Sequence, residues 1–183
     1  MKYFLKIIKE SIVIVMISSI FGLFSGTVLG ANEELLYTIP LILLILPSLN
    51  SLIGDMCTVL VSRITTHLYI GLIPPKIQKS DRLKEDFLGL LLTTLFSLVF
   101  LIFVGFSIGL LTRVNIINPF LVIIIIVLTV LVIFASMFVL LFISAIYLFK
   151  RGNDPNNFLI PFLTSFIDFL TPFMLITFMT IFI

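Results

Sequence analysis

Residues 158–183 read FLIPFLTSFIDFLTPFMLITFMTIFI. The run exceeds the ~20 residues that cross ~30 Å of hydrocarbon, and its one charged side chain is Asp168. A carboxylate in the middle of a membrane helix is costly. It usually faces a bundle interior or a water-filled path. A second carboxylate, Asp55, sits in another apolar stretch, while the other acidic residues fall in short polar segments outside the apolar runs. The first expectation is that these two carboxylates line a route for cations.

The rest of the chain belongs in the same solvent. It is 61% hydrophobic and 11% charged, with a mean hydropathy of +1.34. A soluble domain of this length could not hide so much apolar surface. The expected fold is all-α: a polytopic membrane protein with transmembrane helices over residues 11–30, 38–62, 87–111, 120–149 and 158–183. Span four is longer than a crossing needs and is expected to tilt. It is also Ile/Val/Leu/Phe-rich, with only Thr129, Ser136 and Ser144 as hydroxyls, so it is expected to be the most lipid-exposed helix. The opening Lys2–Lys9 stretch mimics a signal peptide. The apolar run behind it is too long and Leu-Gly-Ala-Asn is a poor cleavage site, so an uncleaved helix is read. The expected domain organisation is one five-helix unit over residues 1–183 with no soluble sensor domain.

Basic residues set the orientation. Lys2, Lys6 and Lys9, then Arg63, Lys76, Lys79, Arg82 and Lys84, then Lys150 and Arg151 fall on one side, and Arg113 alone on the other. The positive-inside rule puts the N-terminus in the cytoplasm and the C-terminus outside a cell membrane. The net charge of +2 carries no message about nucleic acid, because the bases sit in loops beside the spans. Cys57 is the only cysteine, which excludes an intrachain disulfide and points to a small packing residue. No hydrolase or redox motif appears, so an enzyme is not expected. A metal-ligand role is not expected for the lone His67. Arg63 is expected to snorkel or to pair with an acidic group.

Spans two and five are the polar ones. Asn157, Pro161, Thr164, Asp168 and Thr171 recur on one helix face. Pro47, Ser51, Gly54, Thr58 and Ser62 do the same, with Asn50 and Asp55 alongside. Proline frees a backbone carbonyl, which a membrane tolerates only where protein or water can satisfy it. Two broken helices with aligned polar faces make an ion path of hydroxyls, freed carbonyls and one carboxylate each. Such hard oxygen ligands suit magnesium or calcium. Asp168 lies about twelve residues into its span, roughly 18 Å, and Asp55 is eight residues from Arg63, roughly 12 Å, so both fall in the central region. In span one, Ser18, Gly22, Gly26 and Gly30 stand at steps of four, which predicts close helix packing. Gly105 and Gly109 are a weaker version in span three.

The stretch from Pro47 through Gly54 and Asp55 to Thr58, Ser62 and Arg63 resembles the second helix of MgtE-type magnesium channels and their animal solute-carrier relatives. Those have proline, then glycine seven positions later, then asparagine, which Asp55 replaces here. The stretch from Asn153 to Asp168 resembles the approach to their last helix. There an Asp-Pro stands at the cytoplasmic mouth, and an intramembrane Asp that holds hydrated magnesium follows fourteen residues later; Asp154 and Asp168 have that spacing. The two motifs cover about forty residues, and the five-span layout covers the rest. The resemblance implies Mg2+ as the transported ion, and together with the polar helix faces it makes Asp168, Asp55, Asp154, Thr164, Asn50, Thr58 and Thr171 the candidate metal-contacting residues. It also implies a homodimer, or a heterodimer with a similar five-helix unit, in the lipid bilayer. Asp154-Pro155 could also simply begin a helix, with Asp at the N-cap and Pro in the first turn. Three readings of function follow. The first is divalent cation transport, magnesium foremost, through a pathway lined by spans two and five of a dimer. The others are a proton- or sodium-coupled divalent cation exporter and a non-transporting scaffold or accessory subunit.

Overall fold

The apolar runs fold as helices because lipid offers no partner to a bare N–H or C=O, and a helix satisfies both within one segment. The structure, a computed structural model, describes residues 2–78, 80–114 and 118–183; of residues 2–7, 9–11, 13 and 14 it describes the helical backbone alone. Lys79 and the side chains of Lys2, Lys6 and Lys9, part of the charge-asymmetry argument, therefore lie outside the described residues. The elements are α1 (Lys2–Ala31), α2 (Glu33–Thr38), α3 (Pro40–Tyr69), α4 (Asp81–Leu111), α5 (Pro119–Lys150) and α6 (Pro155–Phe182). Helices α3, α4, α5 and α6 are each long and apolar enough to cross a membrane. In α1 the apolar part among the described residues is shorter, Val15–Ala31.

Local chemistry ends the helices where the chain must turn. After α3, Gly71 takes φ 76°. Its N–H bonds to the Leu68 carbonyl at 3.3 Å, and Leu72 N–H reaches back to His67 at 2.9 Å. This is the paired bonding of a Schellman motif. Gly152, at φ 74°, closes α5 the same way, with Asn153 N–H on the Leu148 carbonyl at 3.1 Å. Prolines then start helices at Pro40, Pro119 and Pro155, where a missing N–H has no cost. The prolines inside helices do not break them: α3 runs on through Pro47 and α6 through Pro161 and Pro172. The expected broken helices are therefore continuous rods, each short of backbone bonds at its prolines.

Contacts fix the packing. Helix α3 touches α4, α5 and α6; α5 also touches α6 and, over a short stretch, α4; α1 packs on α6. Paired contacts give directions. Arg63 meets Asp86 and Ile45 meets Gly105, so α3 and α4 are antiparallel. Asn50 meets Asp168, and Ser18 and Ser25 meet Ser165 and Asp168, so α6 runs against α3 and along α1. The core is made of α3 residues such as Leu49, Ile53 and Leu60 against α5 residues such as Ile133, Phe134 and Leu141. Cys57 is fully buried within it, as a packing residue should be.

Two packing expectations are overturned. Span four, α5, is not the most lipid-exposed helix: half of its most apolar window is buried, against 11% for α4. Hydropathy measures departure from water, and does not distinguish lipid from protein as the destination. Nor do the α1 glycines serve close packing within the chain. A Cβ at Gly22, Gly26 or Gly30 would meet nothing within 4 Å. Helix α1 docks instead through Ser18, Ser25 and Phe21, whose ring stands edge-on to Phe162 and Phe166. The close approach falls at Gly105, where a Cβ would stand 2.7 Å from Ile45.

Candidate functional site

Asp55 is the sixteenth residue of the 30-residue α3, and Asp168 the fourteenth of the 28-residue α6. Antiparallel packing brings the two midpoints to one level. Between the helices lies a cavity of about 380 Å³, lined by Pro47, Asn50, Ser51, Gly54, Asp55 and Thr58 from α3 and by Thr164 and Asp168 from α6. Five of the seven candidate residues thus come together: Asp55, Asp168, Asn50, Thr58 and Thr164.

The remaining two lie elsewhere. Thr171 is fully buried, and its hydroxyl has no partner. It stands at the edge of the polar stripe, where the next turn of α6 rotates into the core. Asp154 caps α6, its carboxylate accepting a bond from Asn156 N–H at 3.0 Å. That is the helix-start role, which leaves its other oxygen free at the end of the bundle that carries Arg63, Lys150 and Arg151.

Asp168 is held at two points. Asn50 Nδ2 stands 3.4 Å from its Oδ1, which ties the carboxylate to α3. Behind it, Pro172 has no N–H to offer the Asp168 carbonyl. That carbonyl instead accepts the Ser25 hydroxyl of α1 at 2.6 Å. A carbonyl freed by proline is thus satisfied by a third helix, as a membrane requires. Thr164 donates its hydroxyl to the Pro161 carbonyl at 3.0 Å, so its own lone pairs remain available to a ligand.

Among the described residues no cationic side chain lines the cavity, and Asp55 and Asp168 are both exposed. Oxygen acceptors dominate its polar lining, which is the donor set of a hard cation. An octahedral ion with about six waters of about 30 Å³ each occupies about 180 Å³. It fits with its first shell in place.

One charged residue escaped the sequence reading. Asp86, in the first turns of α4, has a fully buried side chain. Arg63 Nε and a terminal nitrogen lie 2.7 and 2.6 Å from its Oδ1, and His67 Nε2 lies 2.9 Å from Oδ2. Arg63 therefore pairs with an acid, one of its two expected fates. The available signal was a base and an imidazole one turn apart on α3, which needed an acid opposite them.

The family MgtE, divalent cation transporter, matches residues 46–178, a span that takes in every residue of the cavity. No curated protein and no solved structure matches the chain.

Proposed function

Since the chain belongs to the MgtE family of divalent cation transporters, we propose that it carries magnesium across the cell membrane through a pathway between α3 and α6 of two copies. The observation that carries this reading is the cavity at mid-helix depth, in which two carboxylates, an amide and hydroxyls converge with no neutralising base. In this reading α1 is a fifth span, the end of the bundle bearing Arg63, Lys150 and Arg151 faces the cytoplasm, and the C-terminus lies outside.

Magnesium gives up its waters reluctantly. Asp168 and Asp55 hold the hydrated ion through those waters, supplying charge without demanding dehydration. Asn50 fixes the carboxylate of Asp168, so its free oxygen points where the water shell passes. Thr164 and Thr58 accept from the same shell. In one copy this polar face is open, and lipid cannot satisfy it. A second copy related by a two-fold axis closes it and doubles the carboxylates around the path.

The test is magnesium uptake into proteoliposomes that contain this protein alone. Uptake above that of empty vesicles is expected. Its absence from folded, reconstituted protein would sink the proposal in favour of a scaffold. An uptake that stops when proton and sodium gradients are removed would convert it to a coupled carrier.

A further inference from the structure

A second and larger cavity, of about 1080 Å³, separates α3 from α4. It shares Pro47, Ser51 and Asp55 with the first, so Asp55 stands in the wall between them. From α4 it takes Glu85, Gly89, Thr93 and Ser97, a stripe at steps of four of bare backbone and hydroxyls headed by a carboxylate that Arg82 pairs at 2.6 Å, with apolar residues such as Leu90, Phe100 and Val104 completing the wall. Arg63 and Asp86 line it near the basic end of the bundle. The cavity thus leads along α3 to Asp55, and a guanidinium stands on the way.

Arg63 is half exposed, and Asp86 beside it has no exposed side-chain surface. Both contacting guanidinium nitrogens converge on Oδ1. Oδ2 lies 2.9 Å from His67 Nε2, but the two are not aligned for a hydrogen bond, and neither atom has another partner among the described residues. The two guanidinium contacts on Oδ1 of a fully buried carboxylate keep Arg63 folded against α4.

We propose that the α3/α4 cavity is an access branch by which the cation reaches Asp55, and that Asp86 is the positioning residue that keeps this branch passable. It does so by cancelling the charge of Arg63 and holding its guanidinium to the wall. The inference rests on the transport reading above. Arg63 is eight residues from Asp55, about 12 Å along the helix. A free unit charge that close to a divalent ion in a cleft of intermediate dielectric lowers its local concentration about tenfold. Salt screens such an effect.

The experiment compares magnesium flux for wild type, Asp86→Asn, Arg63→Gln and the double variant in proteoliposomes, at low and high salt, each first shown monodisperse. Asp86→Asn is expected to lose about tenfold at low salt, with the deficit shrinking at high salt. Adding Arg63→Gln is expected to restore flux to within about twofold of wild type, because the charge that needed holding is gone. A double variant as slow as Asp86→Asn would overturn the proposal and leave the ion pair as a mere pin between helices. So would an Asp86→Asn protein with wild-type flux. Should Asp86→Asn fail to fold, Arg63→Gln alone decides. A change under about twofold at low salt supports a neutralised guanidinium, and a several-fold rise overturns it. Failure of wild type itself to conduct would fall on the transport reading instead.

Discussion

At Asp168 the side chain and the main chain answer to different helices. The carboxylate faces α3 and the cavity, while the carbonyl is held by Ser25 of α1. The two functions can be separated. Asp168→Asn keeps the shape and can still accept from Asn50, so the fold should survive while magnesium flux is almost abolished; wild-type flux from a folded variant would remove the residue from the mechanism. Ser25→Ala leaves the carbonyl bare and should lower stability by about 1–3 kcal/mol, read as a lower Tm in detergent. In a Pro172→Ala background the helix supplies its own N–H, and the same change should cost less than about 1 kcal/mol. An unchanged loss there would give Ser25 another role. Polar periodicity, the rarity of carboxylates in apolar spans and the family resemblance together pointed to Asp55, Asn50, Thr58, Thr164 and Asp168, which line one cavity, because a polar residue in an apolar span has few places to face. Thr171 falls outside that cavity, since a stripe has edges and sequence does not say which edge turns inward. These signals passed over Asp86, which lies beside an apolar run and looks like an ordinary flank until the fold brings Arg63 to it.

Individual helices were legible in extent and less so in placement. Each expected span lies within or nearly within a helix, and α4 and α6 begin a few residues earlier because polar lead-ins extend them. The error over α5 has a physical cause: a helix apolar all round satisfies a protein interior as well as it satisfies lipid. The glycine stripe of α1 failed for a related reason. Small residues permit close approach, and cannot compel a partner within the same chain. For α6 the Asp154-Pro155 start that the sequence offered beside the span is the one observed, and its cap can be tested apart from its charge. Asparagine caps a helix as well as aspartate does. Asp154→Asn should therefore leave stability unchanged while weakening magnesium affinity several-fold at low salt, with the difference fading as salt rises. Flux measured against magnesium concentration at two ionic strengths checks this. A variant identical to wild type at low salt would confine Asp154 to capping.

For the whole molecule, the polar face of α3 and α6 asks for a cover. In a Cys57→Ala background, Ser51→Cys should form disulfide-linked dimers on mild oxidation, because a two-fold axis beside α3 brings the two copies of that position together. Val139→Cys, on the exposed side of α5, should remain monomeric under the same conditions. The reverse pattern would turn the assembly around and leave the cavity facing lipid.

Helix α1 touches α6 and α2, and no other helix among the described residues. That pairing sets an order of events during synthesis. Of these helices, the one made earliest must wait until the one made latest arrives beside it. Through that interval its serines find no lasting partner, and the backbone of α6 cannot yet be completed. The cavity between α3 and α6 is therefore among the last features of this bundle to take shape. If that cavity is the proposed pathway, a half-made bundle has no conduit through which ions could leak.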